Sequence, residues 1–142
     1  EGPWTARGLV LYGHLQNSGV VAKNNRTLSN NLNAKRTRVG SDALGYLAEG
    51  GVDVLSFLAD TDQRLDVFGR YEFYDTQWRT VGSDDPLWER STITGGLNWY
   101  VVDAVVAKAE YSRRVRGSEP SVRGGASGDT ETTVSLGLGF EF

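Results

Sequence analysis

The chain has 142 residues, enough for one ordinary domain. Its 15 basic and 18 acidic residues leave a net charge of -3, which excludes the basic footprint of a nucleic-acid binder, and the absence of cysteine excludes disulfides and thiolate metal sites. Hydrophobic residues make up 39%, aromatics 11%, and glycines number 18, a mix that disfavours a thick helical core and suits short strands joined by turns.

In chain order, the first predicted strand is TARGLVLYGHL (Thr5–Leu15), which alternates least cleanly. The longest irregular stretch, 16–42, follows and contains KNNRTLSNNLNAKRTR. A short helix fits within it, and GVVAK is its only, poor, strand candidate. Loops of this length are usually functional or mobile. The second strand is LGYLAEGGVDVLSFL, with Tyr46, Ala48, Gly50, Val52 and Val54 opposing Glu49, Gly51 and Asp53. A short turn, ADTDQ, leads to RLDVFGRYEFYDTQ, where Val67, Gly69, Tyr71 and Phe73 oppose Phe68, Arg70, Glu72 and Tyr74. A loop at 77–90 carries Pro86 at a turn. STITGGLNWYV and AVVAKAEYSRRV then form a tight hairpin around Val102 and Asp103. After a Gly/Ser-rich loop at 116–129, the last strand ends in TVSLGLGFEF.

This is period-2 alternation almost throughout, with little helical periodicity. The connections are expected to run long, short, long, short, long, giving one trimmed rim and one elaborated rim. No run approaches the roughly 18 apolar residues of a membrane-spanning helix, whereas barrel strands cross a membrane while only half apolar. A soluble sheet would want bulky apolar residues on its inward face. Here the apolar rows mix large residues with Gly69, Gly50, Ala107 and Ala109, and the opposite rows carry charge in mid-strand. Aromatics near strand ends (Trp4, Trp78, Trp88, Trp99, Tyr100, Phe140, Phe142) stand where the girdles of a membrane barrel would be. The expected fold is therefore all-β, an antiparallel up-and-down transmembrane barrel in one domain, 1–142.

The final row of Val134, Leu136, Leu138, Phe140 and Phe142 resembles the assembly signal of bacterial outer-membrane barrels, an alternating last strand that closes on an aromatic. RYEFYDTQ, GGLNWYVVDAVVAKAEYSRR and GLGFEF resemble the closing hairpins of proteobacterial porins, including the phosphate-selective porin-like group and the general porins. The likeness covers most of 43–142. The turn VVDAVV departs from it by lacking a proline. The resemblance implies the bacterial outer membrane, with lipid, lipopolysaccharide and the barrel-assembly machinery as partners, a homotrimer, no cofactor and no reaction. It also implies a channel for passive diffusion of small hydrophilic solutes. The alternatives are a non-channel barrel with structural or adhesive loops, or a barrel lipid hydrolase using His14.

About six strands are fewer than the eight or more of single-chain membrane barrels. They are expected to be the C-terminal strands of a larger barrel, completed by N-terminal strands or by other copies of the chain. If the C-terminus lies at the periplasmic rim, 16–42, 77–90 and 116–129 are external.

Glu49, Asp53, Arg70, Glu72, Lys108, Glu110 and Arg114 are the expected pore-lining residues, because rings of charge in a wet pore tune which solutes pass. Their structural alternative is cross-strand pairing that braces the wall. His14 lies four residues from Ser18, a spacing that suits a helix better than a strand. A rim histidine is thus favoured over a catalytic one. Asp84, Asp85 and Glu89 lack the ordered ligand alternation of dedicated calcium loops, so no metal is expected.

Overall fold

The computed structural model describes residues 2–27, 39–58, 60–80, 88–117 and 130–140. Six strands are formed: β1 (Trp4–His14), β2 (Gly40–Asp53), β3 (Arg64–Thr80), β4 (Glu89–Val102), β5 (Val105–Arg116) and β6 (Thr130–Phe140). Two helices accompany them, α1 (Ser18–Thr27) and α2 (Leu55–Leu58). The strands build one antiparallel sheet in sequence order, β1-β2-β3-β4-β5-β6. The sheet is open: β1 and β6 each have a strand neighbour on one side only. No described helix is long and apolar enough to cross a membrane, which says nothing of strands.

The register follows from the alternation. Residues directly opposite in an antiparallel pair share a face, so one row can be followed across the whole sheet. Trp4 pairs Val52, Val52 pairs Val67, Val67 pairs Leu97, Leu97 pairs Ala109 and Ala109 pairs Leu136. A one-residue slip anywhere would move every apolar side chain of that strand to the charged face.

Several boundaries differ from the sequence reading, each for a local reason. β2 ends at Asp53 instead of continuing through VLSFL. The Asp53 Oδ1 accepts the backbone N–H groups of Leu55 and Leu65, both at 3.1 Å, and so holds a turn in place. Leu55–Leu58 form α2, and the β2–β3 connection grows to residues 54–63. At its other end β2 begins at Gly40, inside the stretch read as loop. β3 continues to Thr80, because register shifts around Asp42 let Gly40 pair Thr80. Only residues 81–88 then join β3 to β4, so the expected contrast of long and short connections does not hold for these two. GVVAK lies in α1 and adds no strand. The poor alternation of β1 has a simple cause: Leu9 and Leu11 share a face with Arg7, so both faces of that strand carry apolar residues.

The described residues form no thick core. Phe68 is the buried hydrophobic residue among those described. It lies between Gly51 and Gly96 on the charged face. A Cβ on Gly96 would come within 2.6 Å of the Phe68 ring, and one on Gly51 within 3.2 Å of the Phe68 Cβ. Gly96 leaves the room that the Phe68 ring occupies, and Gly51 that beside its Cβ.

Candidate functional site

The sheet presents two faces of opposite chemistry. On the first, β1 contributes Trp4, Ala6, Gly8, Val10 and Tyr12, and β2 contributes Val52, Gly50, Ala48, Tyr46 and Leu44. Leu65 to Phe73 of β3, Trp99 to Ile93 of β4, Val105 to Tyr111 of β5 and Phe140 to Val134 of β6 continue it, every second residue. None of these side chains is charged at neutral pH. This face is uncovered: Trp4 is 73% exposed, Leu136 83% and Ile93 64%.

The apolar area has defined edges. Its first polar residues on the side away from the Asp103–Ala104 turn are His14, Asp42, Asp75, Ser91, Arg113 and Thr132, one per strand. Thr132 is in register with Gly8 through Arg113, Ile93, Tyr71 and Ala48, six residues along β1 from His14. At the opposite edge, Phe140 lies four residues beyond Leu136, which is in register with Trp4. The apolar area therefore runs obliquely to the hydrogen-bonded rows.

Aromatics collect at both edges. Trp4 meets Phe57 of α2 at 6.3 Å, and Trp99 donates its indole N–H to Gln63 at 3.3 Å. Along the other edge Tyr46 stacks on Phe73 at 5.1 Å and lies 6.0 Å from Tyr71, while Phe73 meets Trp78 edge-on at 6.2 Å. Of the aromatics named from the sequence, Trp4, Trp78, Trp99 and Phe140 stand at these edges, together with Tyr12, Tyr46, Tyr71, Phe73 and Tyr111, which the sequence reading did not name. β2 and β3 run past the apolar area, so their aromatics look mid-strand in the sequence. The signal that finds them is the first polar residue of each apolar row. Tyr100 falls on the charged face instead, where the Arg64 guanidinium lies 5.6 Å over its ring.

The second face brings together all seven residues expected to line a pore. Glu49 pairs Arg70 in register, Lys108 is opposite Asn98, Glu110 opposite Gly96 and Arg114 opposite Thr92. Ion pairs run in a chain across three strands. Arg7 Nε lies 3.4 Å from Glu49, Arg70 Nη1 lies 3.5 Å from the other Glu49 oxygen, and Arg70 Nε lies 3.4 Å from Glu72. Arg114 pairs Glu131 at 3.2 Å. Among the described residues this face is the more buried of the two: Asp66, Phe68 and Thr94 are buried on it. Asp53 differs from the others in that its carboxylate braces the turn before β3.

His14 sits at the edge of the apolar face. Its Nδ1 lies 2.9 Å from Asp42, whose carboxylate also accepts the hydroxyls of Tyr12 and, at 2.8 Å, Ser41. Ser18 is buried at the start of α1 and is not among the partners of His14. Asp84 and Asp85, most of KNNRTLSNNLNAKRTR, and Phe142 of the last row lie outside the described residues. Among the described residues no three His, Asp or Glu side chains gather as a metal site requires. No known protein family, curated protein or solved structure matches the chain.

Proposed function

We propose that this sheet is part of the wall of an outer-membrane barrel, with its apolar face in lipid and its charged face on a water-filled lumen that passes small hydrophilic solutes. The observation that carries the reading is the pairing of an exposed, uncharged face with a charged face on which Phe68 is the buried hydrophobic residue among those described. A soluble monomer rarely leaves more than a few hundred Å² of contiguous apolar surface in water. In a bilayer the same surface is the favourable one.

The oblique edges support the reading independently. A drift of four to six residues across five strand spacings, at about 3.3 Å rise and about 4.8 Å between strands, corresponds to a tilt of about 30–40°. Membrane-barrel strands tilt by about 35–45°. Trp4 and Tyr12 are eight residues apart on one face, about 26 Å along the strand and about 20 Å across a membrane at that tilt. That approaches the apolar band of about 25 Å, with aromatic girdles at its two margins.

Lipid also dictates what the edges must do. Backbone groups left unpaired in hydrocarbon cost several kcal/mol each. β1 and β6 are therefore closed by further strands, either of a longer chain or of other copies. The alternating C-terminal sequence from Val134 to Phe142 is the segment the assembly machinery would read. Arg7, Glu49, Arg70, Glu72, Lys108, Glu110 and Arg114 set a mixed-sign lumen wall, which tunes passage without demanding one ion sign.

The 142 residues contain no cysteine, so a single cysteine introduced among them is read against the unsubstituted protein treated in the same way. In planar bilayers the full-length protein is expected to conduct. A cysteine at Glu72 or Lys108 should react with a charged, water-soluble thiol reagent and lower the conductance, while one at Val67 or Leu136 should not react. Absence of any channel would end the porin reading and leave a barrel acting through its loops. Equal labelling of both faces would end the barrel reading itself.

A further inference from the structure

At the rim of the sheet that carries the Asp103–Ala104 turn, a cavity of about 540 Å³ opens among the start of β1, the end of β2 and the start of β3, within the size range of small-molecule sites. Thr5, Asp53, Ser56 and Arg64 are among the residues that line it. The lining thus holds one anion and one cation, and the fold keeps them apart. Asp53 is directly opposite Asp66, which puts Arg64 two residues further along β3, a diagonal neighbour at about 7–8 Å. The guanidinium turns away from β2. Its Nε donates to Asp66 at 2.7 Å, and it lies 5.6 Å over the ring of Tyr100 on β4. Among the described residues no ion pair joins it to Asp53.

Both charges keep capacity for a further partner. Asp53 Oδ1 accepts the N–H groups of Leu55 and Leu65, and its Oδ2 meets no described donor. A guanidinium carries five N–H donors, and only the one on Arg64 Nε is used by a described side chain. The Arg64 side chain is 46% exposed, so its terminal nitrogens are open to a ligand. Ser56 gives its hydroxyl proton to the Asp53 carbonyl at 2.7 Å, which leaves its oxygen able to accept. A ligand with a carboxylate alone would answer Arg64 and be repelled by Asp53. One with an ammonium alone would answer Asp53 and be repelled by Arg64. A ligand that joins the two groups on adjacent atoms meets both.

We infer that this cavity binds the head of a free α-amino acid, with its carboxylate on the Arg64 Nη atoms and its ammonium on Asp53 Oδ2 beside the Ser56 hydroxyl. Binding needs only the side chains at this rim. Its use in transport rests on the proposed function, on which the cavity stands at one mouth of the lumen and gathers amino acids as a class of solute.

The full-length protein in phosphatidylcholine nanodiscs gives a direct test through the backbone amide signals of Thr5 and Ser56 in ¹⁵N NMR. Glycine, L-alanine and L-phenylalanine are titrated in turn, with methylamine and acetate as the two halves of the head taken singly. At least one amino acid should shift these signals saturably, and both half-ligands should bind at least about tenfold more weakly, the loss expected when one charge-assisted contact is missing. Asp53→Asn keeps the Oδ1 acceptor for Leu55 and Leu65 while removing the charge, and should weaken amino-acid binding by about the same factor. If that variant disturbs signals across the sheet, Arg64→Lys is used, which keeps the charge but loses the planar fork, with the same loss expected. Signals unmoved by every amino acid, methylamine or acetate binding as tightly as the amino acids, or a variant that binds like the native protein would overturn the site. Conductance is a separate readout: a protein that binds amino acids without conducting would sink the pore and leave the site, and one that conducts without binding them would do the reverse.

Discussion

Phe68 lies on the charged face with its ring over Gly96, a place that exists only because residue 96 has no side chain. Gly96→Ala is expected to cost about 1–3 kcal/mol, as overpacking does. At Gly69, on the other face, a Cβ would meet nothing within 4 Å. Gly69→Ala should therefore be neutral or stabilise by up to about 1 kcal/mol, through the unfolded chain. Urea unfolding in lipid vesicles, followed by the gel mobility of the folded form, compares the two. Asp53 is a second residue whose work is local: its oxygen holds the N–H groups of Leu55 and Leu65. Asp53→Ala should cost about 1–2 kcal/mol, the usual penalty for losing such a capping carboxylate, in the same assay. Neither role was legible from the sequence, because Phe68 and Gly96 are 28 positions apart and the Asp53–Leu65 contact depends on where β2 stops.

Between elements, the ion pairs Arg7–Glu49–Arg70–Glu72 tie β1, β2 and β3 together on one face. Each partly exposed pair is worth only about 0.2–1 kcal/mol, so the chain matters more for the field it sets than for stability. Arg70→Glu would place three carboxylates where the signs now alternate. In bilayers under a salt gradient the reversal potential of that variant should shift toward cation preference; an unchanged potential would remove Arg70 from the conducting path. The rows themselves were legible from period-2 alternation, which put all seven expected lumen residues on one face. Which of them touch was not, since cross-strand neighbours depend on the register between segments far apart in the chain, 42 residues for Arg7–Glu49 and 21 for Glu49–Arg70.

For the whole molecule, the two faces predict opposite responses from adjacent residues. Leu136 is on the apolar face and Ser135 on the charged one. Leu136→Arg should destabilise the protein in lipid by about 2–4 kcal/mol, the cost of Arg near a bilayer midplane, whereas Ser135→Arg should stay within about 0.5 kcal/mol. Equal effects at the two positions would mean that the apolar face does not meet lipid. The unpaired sides of β1 and β6 belong to this scale as well, because no property of a single strand says what must close the sheet.

By itself the sequence determined the strand class, the two faces and the residues on each, since alternation is a property of neighbours along the chain and the pleat converts it directly into sides. Tertiary structure decided what depends on distance between segments. It set the oblique edges of the apolar area, the aromatics that border it, the place of Phe68 against Gly96, and the bulge that seats Gln77 beside Gly40. It also decided that the charged face is the sheltered one and the apolar face the open one. Alternation is symmetric between the two sides of a sheet, so it cannot say which side is sheltered; that depends on how the paired strands are arranged in space.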